Sequence, residues 1–181
     1  MGHPFPTLSL MLQKVIAMFS EAVVDLAQAV LTKSGDAGVM VATAESCTGG
    51  LVAAALTEIT GSSSVVDRGF VTYSNQAKMQ MLGVPEQTLA DHGAVSEQTA
   101  RAMATGAVEN SNASVAVAIT GIAGPGGGSA EKPVGLVHFA AARADGRVLH
   151  IERRFGDLGR DKVREGALVQ ALELLSQALD A

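Results

Sequence analysis

An apolar run, Val39 to Ala44, ends in Glu45-Ser46-Cys47-Thr48-Gly49-Gly50, and a second apolar segment, Leu51 to Ile59, follows directly. A short buried strand that turns through two glycines into a helix is a strand-to-helix unit, and few folds are built from such units. The pattern recurs. Val115 to Ile119 is almost continuously apolar, as expected for a strand covered on both faces. It runs into Gly121-Ile122-Ala123-Gly124-Pro125-Gly126-Gly127-Gly128, which cannot be regular structure. Two such strands call for a mostly parallel sheet between helical layers, with both glycine turns at one edge.

The remaining segments fit that frame. Leu8, Leu12, Val15, Phe19, Val23, Leu26 and Val30 recur at three- and four-residue steps, predicting an amphipathic helix that Gly35 and Gly38 end. Val65 to Tyr73 reads as a strand. Asn75 to Leu82 reads as a short helix stopped by Gly83 and Pro85. Ser96 opens another helix, to about Val108. Val134 to Ala142 and Val148 to Phe155 form a hairpin about Asp145-Gly146. A last helix starts at Asp161. The expectation is an α/β fold with one antiparallel strand. It forms a single domain over residues 1–181, with residues 1–38 packed on it as an N-terminal helix.

Composition excludes several classes. The 181 residues include 48% hydrophobic and 17% charged side chains, a globular balance. The net charge of −5 and thirteen scattered Lys and Arg provide no basic face, which argues against nucleic acid as a partner. One Cys allows no intrachain disulfide, pointing to a reducing compartment. The N-terminus lacks a basic leader, and Gln13, Lys14, Glu21 and Asp25 interrupt the following apolar stretch. Neither a signal peptide nor a membrane span is expected, and the cytoplasm is the default location. The four histidines, at 3, 92, 138 and 150, lack metal-ligand spacing, so no metal or other cofactor is expected. A homodimer is the base-rate expectation for assembly.

The candidate chemistry lies on the turns. Ser46 at a helix start could be an N-cap or a nucleophile. N–H groups of Cys47, Thr48 and Gly49 could face a developing oxyanion. Cys47 is the rival nucleophile, because a helix N-terminus lowers a thiol pKa; otherwise it is a small core residue. Ser46 needs a base and no histidine is placed to supply one. Lys78, desolvated in a pocket, could accept the proton, with Tyr73 as relay. The Thr120–Ser129 loop, including Thr120, Gly121, Gly124 and Gly126, could present N–H groups to an anion. Arg160 and Arg164 lie one helical turn apart and could clamp a phosphate.

Several of these segments together resemble the CinA C-terminal family, to which nicotinamide-nucleotide amidases belong. The resemblance is carried by Ala44-Glu45-Ser46-Cys47-Thr48-Gly49-Gly50, by Gly69-Phe70-Val71-Thr72-Tyr73-Ser74-Asn75 with Lys78, and by His92-Gly93-Ala94-Val95-Ser96. Thr120-Gly121-Ile122-Ala123-Gly124-Pro125 and Lys132-Pro133-Val134-Gly135 complete it. It implies a three-layer α/β/α sandwich with a mixed five-stranded sheet. It also implies hydrolysis of the nicotinamide mononucleotide carboxamide to nicotinate mononucleotide and ammonia. Ser46 is then the nucleophile with Tyr73 and Lys78 around it, and the glycine loop and Arg160 meet the nucleotide. The family usually reads Gly-Asp-Arg before the last helix; here Leu158-Gly159 intervene between Asp157 and Arg160. The chain is similar to the stand-alone amidase form. Other readings are an amidase for another phosphorylated amide, or a nucleotide-binding or competence-related protein without turnover.

Overall fold

The computed structural model describes residues 18–181. Its elements are α1 (Glu21–Ala37), β1 (Val41–Glu45), α2 (Leu51–Thr57), β2 (Val66–Val71), α3 (Asn75–Leu82), α4 (Glu86–His92) and α5 (Glu97–Glu109). β3 (Val115–Gly121), β4 (Leu136–Arg143), β5 (Val148–Arg154) and α6 (Arg160–Asp180) complete them, and a 3-10 turn spans Ser62–Ser64. The five strands form one sheet in the order β2-β1-β3-β4-β5. β1 pairs parallel with both β2 and β3, and β4 pairs antiparallel with both β3 and β5. One strand therefore opposes the other four, as expected in number, but it is β4, the first strand of the hairpin, and not the returning Val148–Arg154 strand.

Side-chain size sorts the two faces of the sheet. Val41, Val115, Val117, Ile119, Val137 and Phe139 face a core closed by α1, α2 and α6. Ala42, Ala44, Ala116, Ala118, Ala140 and Ala142 face the other core, closed by α3, α4 and α5. This alternation is the period-2 signature of strands. The alanine face lets α5, with its own Ala100, Ala104 and Ala107, lie close to the sheet. Close approach extends to the next helix: a Cβ at Gly106 of α5 would stand 1.8 Å from the Leu82 carbonyl oxygen at the end of α3. Only glycine admits that contact, and α3 is the helix that carries Lys78.

The topology fixes where a ligand can go. From β1 the chain crosses through α2 to β2, then returns through α3, α4 and α5 to β3 on β1's other side. The crossovers leave on opposite faces, so a crevice opens beyond the carboxyl ends of β1 and β3. The three strands stay stitched to their last residues. Ser46 N–H donates to the Ile119 carbonyl at 2.9 Å, and Thr72 N–H donates to the Glu45 carbonyl at 2.8 Å.

Several boundaries differ from the sequence expectation. Ser20 caps α1, its hydroxyl accepting from Val23 N–H, so Phe19 precedes the helix instead of lying on its stripe. Gly35 lies within α1, and Gly38 alone caps it. The predicted positions Leu8, Leu12 and Val15 lie outside the described residues. Helix α4 was not expected, because Gly83 and Pro85 read as stop signals. Pro85 instead precedes the first turn of a new helix, where its missing N–H costs no hydrogen bond. Thr120 and Gly121 belong to β3, paired with His138 and Val137, so the irregular loop starts later than expected.

Candidate active site

Glu45, the last residue of β1, is fully buried. Its carboxylate accepts from Gly50 N–H at 3.0 Å, Val52 N–H at 3.1 Å and Ala53 N–H at 2.9 Å, and from the Thr43 hydroxyl at 3.2 Å. It thus takes the orphan donors at the start of α2 and complements the positive end of that helix. Gly49 N–H donates to the Ser46 carbonyl at 3.0 Å, closing the turn. The expectation of three open N–H groups therefore reduces to two: among the described residues, those of Cys47 and Thr48 donate to no other residue, and that of Cys47 lies against its own thiol. Glu45 was legible as an acidic residue before a glycine turn, but its anchoring role was missed.

Ser46 follows at the crevice. Lys78 Nζ lies 3.0 Å from Ser46 Oγ and 2.9 Å from the Thr72 carbonyl oxygen. The lysine is 1% exposed and, among the described residues, its partners are that hydroxyl and that carbonyl, with no carboxylate. A helix lysine is ordinarily solvated; here the close packing of α3 turns it inward. Burial pushes the ammonium below its ordinary range. A neutral amine at hydrogen-bond distance from a hydroxyl is a base beside a nucleophile. Cys47, the rival, is 6% exposed and packed in the core with Val52 and Leu56. Burial pushes its thiol up to about 12, which removes the thiolate on which reactivity depends.

Tyr73 is exposed at the mouth of the crevice, and its phenol oxygen accepts from Arg160 Nη2 at 2.8 Å. It meets neither Ser46 nor Lys78, so the two are coupled directly without the expected relay. Arg160 also donates to the Gly124 carbonyl oxygen at 3.0 Å, tying the first residue of α6 to the glycine loop. Gly124 and Gly127 have φ of +80° and +86°, the left-handed region. Among the described residues, the N–H groups of Ala123, Gly124, Gly126, Gly127 and Gly128 find no acceptor. Open backbone donors beside a guanidinium suit an anion. Thr120 Oγ1 donates to the Ala94 carbonyl at 2.7 Å and holds the Ala94-Val95 wall in place.

These parts enclose a cavity of about 270 Å³, near the small end of ligand clefts, which start at roughly 300 Å³. It is lined by Ser46, Cys47, Tyr73, Lys78, Thr120, Gly121, Gly124, Gly126 and Arg160, all anticipated, and also by Asn75, Ala94 and Val95. Asn75 and Val95 flank residues read as structural and gave no chemical signal of their own. Thr48, Gly49 and Arg164 do not line it. Arg164 points behind the turn, its Nη2 donating to the Thr48 carbonyl at 2.9 Å. The expected pair of phosphate-clamping arginines is thus divided, with only Arg160 at the cavity.

Away from this crevice, His138 Nδ1 and His150 Nε2 lie 3.1 Å apart on the hairpin, a structural arrangement. Among the described residues, no three His, Cys, Asp or Glu side chains are grouped to hold a metal ion. No helix among them is long and apolar enough to cross a membrane.

The chain is similar to known proteins over most of its length. The nicotinamide-nucleotide amidohydrolase PncC of Escherichia coli K12 is 57% identical over 141 residues, 77% of this chain and 84% of that protein. A CinA-like protein of a Mycobacterium species is 56% identical over 144 residues, 79% of this chain; the chain spans only 34% of that longer relative. A crystal structure of competence/damage inducible protein CihA from Agrobacterium tumefaciens has a TM-score of 0.88 at 58% identity, covering 91% of this chain and 99% of that one. The CinA C-terminal domain model matches residues 23–179. With the sheet order, the Ser46 turn and the glycine loop in place, the chain belongs to the CinA C-terminal domain family.

Proposed function

We propose that this protein is an amidohydrolase that converts nicotinamide mononucleotide to nicotinate mononucleotide and ammonia, with Ser46 as nucleophile. One observation carries the reading: the buried, carboxylate-free Lys78 amine 3.0 Å from Ser46 Oγ. The names and close identity of the PncC relatives support the substrate. The reading makes the substrate an intracellular nucleotide, and a cytoplasmic location goes with it.

The steps follow from the geometry. Neutral Lys78 takes the Ser46 proton while one of its N–H groups stays on the Thr72 carbonyl. Ser46 Oγ adds to the carboxamide carbon. The negative charge that forms on the amide oxygen is met by the backbone N–H of Cys47, the turn residue after Ser46 that lines the cavity. Lys78, now ammonium, gives its proton to the amide nitrogen. The C–N bond breaks, ammonia leaves and an ester remains on Ser46. Water, losing a proton to Lys78, attacks that ester; Ser46 regains the proton and the nicotinate product departs. Tyr73, whose oxygen is occupied by Arg160, keeps its own O–H to donate to the substrate. The phosphate lies on Arg160 and the open N–H groups of the Gly124–Gly128 loop. No step runs through a metal ion.

The test is interception of the ester. Acid quenching during turnover and peptide mass analysis should find the nicotinate mononucleotide acyl group on the peptide containing Ser46. Burst kinetics with no adduct, or an adduct on another residue, would reject this nucleophile. Removing the phosphate from the substrate should raise KM strongly in the wild type and far less in Arg160→Ala.

A further inference from the structure

We infer that Arg164 is a positioning residue that orients the Cys47 N–H, the oxyanion donor, from behind the nucleophile turn; the inference rests on the amidase reading. Arg164 sits one turn into α6. Its Nη2 donates to the Thr48 carbonyl oxygen at 2.9 Å, while its buried Nε has no acceptor among the described residues. It lines a separate cavity with Phe19, Val23, Leu51 and Leu168, on the far side of the turn from Ser46 Oγ.

The effect passes through two peptide planes. In a trans peptide the C=O and the following N–H point in opposite directions and rotate together. The Thr48 carbonyl shares its plane with Gly49 N–H. That carbonyl accepts from Arg164 at 2.9 Å and, more weakly, from Leu51 N–H at 3.4 Å; fixing it on Arg164 aims Gly49 N–H at the Ser46 carbonyl, where it donates at 3.0 Å. The Ser46 carbonyl shares its plane with Cys47 N–H. Holding that carbonyl inside the turn fixes the plane of Cys47 N–H, which donates to no other residue among those described and has its own thiol as its one neighbouring acceptor. Arg164 therefore sets the direction of a donor it does not touch.

Glu45 works from the other end of the same turn. It takes the N–H groups of Gly50, Val52 and Ala53, so these cannot compete for the position of the substrate oxygen. The turn is held between a carboxylate that occupies the helix donors and a guanidinium that occupies a turn carbonyl. Two arginines at the start of α6 thus serve opposite sides of the crevice. Arg160 holds the glycine loop and Tyr73, and Arg164 holds the nucleophile turn.

The experiment compares wild type with Arg164→Ala and Arg164→Lys, each checked for folding by thermal melting. Two readouts are taken. One is kcat and KM for nicotinamide mononucleotide and for its phosphate-free riboside. The other is the rate of Ser46 labelling by a fluorophosphonate, in which an Oγ–P bond forms, the P–F bond breaks, fluoride leaves and Lys78 takes the serine proton. Arg164→Ala should lower kcat by about 10- to 100-fold, less than the 10²–10³ of deleting an oxyanion donor outright. KM should stay within about twofold, as befits a group acting only on the transition state. The loss should be equal for the riboside, labelling should slow in parallel, and Arg164→Lys should recover much of both. A KM effect that vanishes on the riboside would make Arg164 a phosphate ligand and overturn the inference. So would unchanged kcat and labelling with only a lowered melting temperature. If wild type releases no ammonia from the nucleotide, the amidase reading fails by itself. The labelling comparison then still decides: slower labelling in Arg164→Ala supports positioning, and equal labelling rejects it.

Discussion

Lys78 Nζ and Ser46 Oγ meet at 3.0 Å although they belong to different crossovers of the sheet, 32 residues apart. Ser46 is delivered by the end of β1, and Lys78 by α3, which the β2 crossover brings back over the crevice. The pair forms because Gly106 admits α3 against α5 and because the Thr72 carbonyl holds the amine in place.

The pH dependence follows from that burial. Lys78 must be neutral to accept the Ser46 proton, and burial lowers its pKa below the ordinary lysine value. The free-enzyme rate, kcat/KM, should rise with pH through one ionisation lying below the usual lysine range. It should be low where Lys78 is protonated. A profile flat through that region, or rising only at ordinary lysine pH, would contradict the assignment.

Function here opposes stability. A folded-state pKa below the unfolded value means that the unfolded chain binds the Lys78 proton more readily. This group therefore destabilises the fold, most below the folded pKa; the cost fades as pH rises from the folded to the unfolded value and is gone above it. Lys78→Met should unfold at higher denaturant than wild type near neutral pH, gaining about 1–2 kcal/mol as an isosteric relief of a buried polar group. The gain should shrink at alkaline pH, and activity should be lost. Urea melts at two pH values measure it.

Cys47 should be chemically silent. Its thiol is buried and raised to about 12. Iodoacetamide should leave the native protein unmodified at neutral pH and react after unfolding. Cys47→Ala should keep most activity, because its contribution to the site is a backbone N–H. Rapid native alkylation accompanied by loss of turnover would refute this.

Gly106→Ala tests the packing that delivers Lys78. The new methyl would collide with the Leu82 carbonyl, which is backbone and cannot rotate away. Overpacking of this kind costs roughly 1–3 kcal/mol, so the melting temperature should fall. Because α3 must move, kcat should fall more than KM rises. An unperturbed, fully active variant would show that this contact does not hold α3.

The sheet was legible in the sequence because a short, near-continuous apolar run such as Val115-Ala116-Val117-Ala118-Ile119, ended by a glycine turn, is a local mark of a strand covered on both faces. Asn75–Leu82 was legible to the residue because Ser74 starts it and Gly83 ends it. Helix α4 was not, since Pro85 stops one helix and starts another with the same residue. The residues around the crevice were readable as types on turns. Their partners were not, because these depend on tertiary packing. Nothing local says that Lys78 is buried, that Tyr73 turns to Arg160, or that Arg164 reaches under Thr48. Arg160 and Arg164 share a helix face, but one turn advances about 5.4 Å along the axis, and that displacement separates their targets.

The most direct test of the central claim is ammonia and nicotinate mononucleotide release from nicotinamide mononucleotide in the presence of a chelator, for wild type and Ser46→Ala. Wild type should turn over, and a folded Ser46→Ala should lose on the order of 10³-fold or more of kcat. Near-normal turnover in folded Ser46→Ala would contradict the account.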